Sequence, residues 1–237
     1  MRFSNNLAHN PVTLALGVFE RVTEAITTSF DDSRPDSLPA MMEALAARRR
    51  HDLSQEEESV RRAARDMLRT DRFKPTGRSK PASEYLLGAV RKGDGVPQIS
   101  PVVDVANFLS LQHLVPISIW DPVRGDASDI VFRLGRAGES FVFNSAGHAI
   151  DVEGLVCGCA IRKGIEGPIV NPVKDSMMTK LGPESRSAVM AVYLPSRMFH
   201  VSCSSALLDE AAALMSAHTS FRLGWRAVLE AGQSEEL

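Results

Sequence analysis

Cysteine is scarce in this chain: Cys157, Cys159 and Cys203 are the only 3 among 237 residues. So small and odd a number in a chain this long argues against a disulfide framework. There is no basic excess. Lys and Arg total 27 against 29 Asp and Glu, a net charge of −2, which argues against a protein that coats nucleic acid by charge alone, though a local basic patch stays open. No apolar run is long enough to cross a bilayer. The opening, MRFSNNLAHNPVTLALG, has no apolar core behind a basic start, so no secretory leader is expected and the chain reads as cytoplasmic. Absent too are a Gly-x-Ser-x-Gly elbow, a Walker loop and a strand-linked Gly-x-Gly-x-x-Gly, which removes the common hydrolase, kinase and dehydrogenase machineries. His9, His51, His113, His148, His200 and His218 fall in no nucleophile or metal motif. Cys157-Gly158-Cys159 is too tight for the usual two-residue gap of a metal-binding pair and has no second pair. A strand with small buried thiols is the plainer reading, and neither metal nor cofactor is expected.

What is present is an ordinary globular balance, 44% hydrophobic and 24% charged, in a chain long enough to build a core without staples. Residues 13–19, TLALGVF, predict a first strand, and 34–39 a loop. Met41, Met42, Leu45 and Ala46 mark a helix. A second opens at Ser54 with Glu57 three residues on, a capping box, and carries Val60, Ala63, Ala64, Met67 and Leu68 at helical spacing. A third, from Ser83, ends in Arg91-Lys92-Gly93, cations for the negative end of the dipole and then a glycine stop. Ser100 is placed to cap a fourth, with Pro101 as its first residue. Beyond Pro116 the pattern turns to strands: Ile130, Phe132 and Leu134 alternate with polar neighbours, and SFVFN, LVCGCAI and SAVMAVYL follow. Residues 204–218 predict a closing helix. Helices early and strands late make the class α+β. Residues 1–70 form the N-terminal strand and helical part of one unit, and 71–237 its main body with a C-terminal helix.

The fourth helix poses the functional question. Residues 100–121, SPVVDVANFLSLQHLVPISIWD, are mostly apolar, yet Asp104 and Asn107 sit within them. Polar groups in an apolar helix need partners, so these two either tie helix to loop or face a pocket. A second feature is the basic run Arg61, Arg62, Arg65, Arg69, Arg72, Lys74, Arg78, Lys80, continuing to Arg91 and Lys92 with few acidic interruptions. It reads as a solvated helix face plus loop, or as a phosphate-contacting surface.

Residues 80–121, KPASEYLLGAVRKGDGVPQISPVVDVANFLSLQHLVPISIWD, resemble the core of the B3/B4 domain. That domain is the editing module of the bacterial phenylalanyl-tRNA synthetase β subunit, and it also exists as free-standing proteins of about this length. The resemblance rests on Ser83 and Glu84, the turn Lys92-Gly93-Asp94-Gly95-Val96-Pro97, the helix from Pro101 to Asn107, and Pro116 to Asp121. Downstream, DIVFRLGRAGESFVF, GLVCGCAI and DSMMTKLGPESRSAVMAVYLP are similar to the family's next strands and its Asp-x-x-x-Thr segment, so the likeness spans residues 72–195.

The resemblance implies a B3/B4-like fold, a mixed or antiparallel sheet flanked by helices. It implies an RNA-binding protein that hydrolyses the ester of a misacylated aminoacyl-tRNA in trans, with the aminoacylated 3′ end of tRNA as partner and neither membrane nor DNA involved. The alternative on the same fold is a non-catalytic tRNA- or amino-acid-binding module. By the family pattern Asn107 faces the pocket while Asp104 holds local backbone. Asn107, Asp175 and Thr179 are then the catalytic candidates. An activated ester needs a placed water and donors for the developing oxyanion. The Asn107 amide, the Thr179 hydroxyl and a backbone N–H near Gly158 would be those donors, with Asp175 orienting the water or taking the α-ammonium. Ser118 and Ser176 would read a substrate hydroxyl. Lys74, Arg78, Lys80, Arg91 and Lys92 would hold the phosphate backbone. The chain departs from the synthetase module at Ser118, where that module has histidine, and near Met177, where it has glutamate. Free-standing members tend to have arginine where Met178 stands, and residues 163–174 form a longer connection. The amino acid read is therefore expected to differ from tyrosine.

Overall fold

A computed structural model of the chain describes residues 1–7, 11–22 and 34–237. In chain order its elements are β1 (Arg2–Asn5), β2 (Val12–Arg21), α1 (Leu38–Arg49), α2 (Gln55–Asp66), α3 (Ala82–Lys92), α4 (Pro101–His113), β3 (Ile117–Trp120), β4 (Asp129–Leu134), β5 (Ser140–Val142), β6 (Ala149–Asp151), β7 (Val156–Arg162), β8 (Ile165–Val170), β9 (Ser187–Pro195), α5 (Val201–His218), β10 (Phe221–Leu229) and β11 (Ser234–Glu236). The class is α+β. One sheet has the order β11-β1-β4-β7-β8 and the other β10-β2-β9-β3, while β5 and β6 make a separate hairpin. Within the two larger sheets only β1 and β4 run parallel.

The packing follows from strand periodicity. On β3, Ile117 borders α3 and α4, whereas the next side chain, Ser118, meets Tyr193 of β9, whose ring packs edge-on against Phe132 of the other sheet. Successive side chains of a strand point to opposite faces. The four-stranded sheet therefore lies between the helices and the five-stranded sheet. β9, SAVMAVYLP, is buried at every position, as a strand covered on both faces must be. Phe3 of β1 stacked on Trp225 of β10, with centroids 5.1 Å apart, is a second seam between the sheets.

Several local expectations hold. Ser54 and Glu57 form the reciprocal capping box of α2. Gly93 ends α3 with a φ of 90°, a left-handed stop that glycine adopts without strain. Others are corrected. Part of the 34–39 loop is helix, since α1 starts at Leu38 with Pro39 in its first turn, where a missing N–H costs nothing. Ser100 makes no side-chain cap on α4; instead Asp104 Oδ1 reaches back to accept the Ile99 N–H at 2.8 Å. The helix expected to close the chain, α5, is followed by β10 and β11, and β1 precedes the strand expected to be first. Neither was legible alone. β10 is interrupted by Gly224 and a bulge between Leu223 and Trp225, and β1 and β11 are only four and three residues long.

α4 is fixed at its far end by Arg49 of α1. The buried guanidinium donates to the Leu111 carbonyl at 3.1 Å and the Gln112 carbonyl at 2.5 Å, and pairs with Glu57 of α2. It serves carbonyls at the end of α4 that lack helical partners, where the dipole favours a cation.

Candidate functional site

Asn107 lines a cleft of about 230 Å³ between α3, α4, β3 and the segment after β8. Its walls are Ala82, Tyr85 and Leu86 of α3, Asn107 and Ser110 of α4, Ile117 of β3, and Val173 with Lys174. Among the described residues the Asn107 amide has no hydrogen-bond partner. Asp104, one turn earlier, is spent on local backbone. Ser110 donates its hydroxyl to the Val115 carbonyl at 2.7 Å, fixing the turn from α4 into β3. The Tyr85 hydroxyl is occluded without a partner, and burial pushes its pKa up. The cleft is thus mostly apolar, with one open amide.

Behind it lies a buried polar group at the free edge of β3. Asp175 Oδ2 accepts the Ile119 N–H at 3.3 Å, and the Asp121 N–H donates to the Thr179 carbonyl at 2.8 Å, so residues 171–179 cover this edge strand. Asp175 reaches the surface in part, but its Oδ1 is occluded and unpartnered. Burial pushes its carboxyl up to about 7, against the lowering effect of the Ser118 hydroxyl, the Ile119 and Asn171 backbone and the Lys180 charge. Ser118, 1% exposed, lies 3.2 Å from both the Asn171 carbonyl and the Tyr193 hydroxyl. Asn171 Oδ1 accepts the N–H groups of Val173 and Lys174 at 2.9 and 2.8 Å, shaping the turn that carries Lys174 to the cleft.

The structure separates the residues that sequence reasoning grouped together. Asn107 alone of the three catalytic candidates is on the cleft wall. Thr179 is fully buried with an unpartnered hydroxyl, and its methyl lies near Gly125. Ser176 is buried and caps the turn Met177–Thr179 by accepting the Met178 N–H. Gly158 sits in an interior strand between Phe132 and Val170, where a Cβ would stand 2.7 Å from the Val170 side chain. Its bareness is needed for packing, since the Phe132 ring fills the space a side chain would take. Tyr85, Ser110 and Lys174 were missed. Ser110 was within reach of the sequence, lying three residues beyond Asn107 on the same helix face. The other two are joined to the cleft only by the fold.

The basic run divides as well. Arg61 pairs with Glu58 and Glu84, Arg62 with Glu58, Arg65 with Glu84, Arg69 with Asp66 and Arg72 with Glu153. Lys74, Arg78, Lys80, Arg91 and Lys92 have no ion pair among the described residues. Lys80 lies over the Tyr85 ring at 5.3 Å, and the Arg78 charge acts on both Tyr85 and Lys174. Arg91 and Lys92 end α3, whose first residue, Ala82, borders the cleft. Leu86 of the same helix also lines the cleft, so at the rise of an α-helix they lie roughly 8 Å beyond it along the axis.

Cys157 and Cys159 are buried, and burial pushes the Cys159 thiol up to about 12, which suits packing rather than reactivity. Among the described residues no group of three or more His, Cys, Asp or Glu could hold a metal ion, and no helix is long and apolar enough to cross a membrane. His9 lies outside the described residues. A second cleft, about 300 Å³, between β2, β9 and the turn after β3, contains none of the expected site residues. No model of a known protein family matches the chain, and a search of curated proteins finds no match.

Proposed function

We propose that this chain is a free-standing B3/B4-type protein that takes the aminoacylated 3′ end of a tRNA into the Asn107 cleft and hydrolyses the ester of a misacylated amino acid. The observation that carries the reading is the unpartnered Asn107 amide on the wall of an apolar cleft that has one cation, Lys174, and no carboxylate among its lining residues. The cleft is smaller than the roughly 300–1,000 Å³ of pockets that enclose whole drug-sized ligands. It suits one end of a ligand, such as an aminoacyl group. In the reaction water adds to the ester carbonyl, Asn107 N–H donates to the oxygen as it becomes negative, and the ribose hydroxyl leaves with a proton that the water supplied. A donor present before the reaction costs no reorganisation as charge develops. Asp175 lies behind the cleft wall, so in this reading Asn107 alone of the three catalytic candidates reaches the ester. Ser118 is buried against Tyr193 rather than open to the cleft, so it does not serve as the reader of a substrate hydroxyl in this reading.

A second reading, a non-catalytic module that binds the same RNA end or an amino acid, draws support from the occluded Asp175 Oδ1 and Thr179 hydroxyl. A panel of correctly and wrongly charged tRNAs separates the two. Selective ester loss on one mischarged species, reduced about 100-fold or more in Asn107→Ala, supports the deacylase. Background rates on every species, with the RNA still bound, leave only the binding module.

A further inference from the structure

We infer that Lys174 on the cleft wall, together with Arg78 and with Lys80 over the Tyr85 ring of the same cleft, forms a seat for a phosphate group at the mouth of the Asn107 cleft. Lys174 was not among the expected RNA contacts, and the fold brings it to the cleft from the segment after β8. Its Nζ stands 3.7 Å from the centre of the Phe143 ring, and Phe143 is itself stacked on His148 with centroids 6.2 Å apart. Lys80 is held in the same way over Tyr85. Aromatic faces thus position both ammonium groups without neutralising them.

All five arginines from Arg61 to Arg72 in the basic run have carboxylate partners, while Lys174, Arg78 and Lys80 have none among the described residues. Burial and the Arg78 charge both press the Lys174 ammonium towards its neutral form. An anion placed between them would relieve both effects. Lysine heads act as point charges suited to the tetrahedral oxygens of a phosphate. The first turn of α3, at the positive end of its dipole, borders the same cleft.

Identifying the phosphate as that of an RNA 3′ end rests on the function proposed above; a free phosphorylated small molecule offers the same chemistry. The test measures fluorescence anisotropy of a labelled RNA oligonucleotide ending in CCA with the full chain, beside Lys174→Met and Lys174→Arg. A matched oligonucleotide has its last phosphodiester replaced by a neutral methylphosphonate. Lys174→Met is expected to bind the natural oligonucleotide roughly tenfold more weakly, the scale of one charge-assisted hydrogen bond. Lys174→Arg is expected to retain binding. The methylphosphonate should weaken the wild type by a similar factor and Lys174→Met no further, because each change removes the same contact. Wild-type affinity in Lys174→Met, or losses that multiply, would overturn the inference. If RNA does not bind, inorganic phosphate is titrated while the Lys174 amide is followed by NMR. A shift seen in the wild type and absent in Lys174→Met keeps the seat, assigns it to a small phosphorylated ligand and removes the tRNA reading. No shift removes the seat. RNA held through Lys174 without ester hydrolysis removes the deacylase and leaves the seat standing.

Discussion

Asp104 and Asn107 lie one turn apart on α4, and their partners separate them. Asp104 spends its carboxylate on the Ile99 N–H, whereas the Asn107 amide is left open on the cleft wall. Asp104→Ala is therefore expected to lower unfolding stability by about 1 kcal/mol, read from urea titrations, with RNA affinity unchanged. Asn107→Ala should leave stability unchanged and lower the rate of ester loss. Asp175 gives a pH dependence whose sign is set by burial. Its carboxyl rises from 3.8 to about 7 on folding. Between those values the folded chain holds a proton that the unfolded chain has released, so its contribution is fully present below about pH 4 and is lost as pH climbs through 7. Relative to Asp175→Asn, the wild type is expected to lose on the order of 1–3 kcal/mol of stability between pH 5 and pH 8. Parallel urea curves for the two proteins across that range would sink the assignment. That Asp104 and Asn107 needed explaining was legible from their apolar surroundings. The family resemblance named Asn107 as the one facing a pocket; the cleft itself is formed with Tyr85 and Lys174, which are distant in sequence.

Elements whose ends are set by neighbouring residues were legible, and those set by distant partners were not. The capping box of α2 and the glycine stop of α3 involve groups within a few residues of each other. The far end of α4 depends on Arg49, more than 60 residues upstream. Arg49→Leu is expected to destabilise the fold by about 2–4 kcal/mol, since it leaves two helix carbonyls without a donor and removes the cation paired with Glu57. The denaturation midpoint measures this, and an unchanged midpoint would show that solvent serves those carbonyls equally well. β10 escaped sequence reading because Gly224 and its bulge interrupt the alternation, yet the strand pairs with β2 through eight residues, from Phe221 to Leu229.

Across the whole molecule, both ends of the chain complete the sheets. β1 lies between β4 and β11, and β2 between β9 and β10. Both sheets take strands from either side of residue 70. Removing residues 220–237 would expose the edge of β2 and withdraw the buried Phe221 and Leu229. That shortened chain is expected to lose its cooperative urea transition and its dispersed amide NMR spectrum, and a sharp transition in it would show that β10 is dispensable. By itself the sequence determined the α+β class, most helix limits and the strands β2, β4, β7 and β9, because caps, glycine stops and apolar period act within a few residues. Only the tertiary structure decided which arginines are neutralised, that Ser118 and Thr179 are shut away, and that Lys174 joins Asn107 at one cleft. These outcomes rest on contacts between distant segments, such as Arg65 with Glu84 and Ser118 with Asn171, which exist only once the layers have packed.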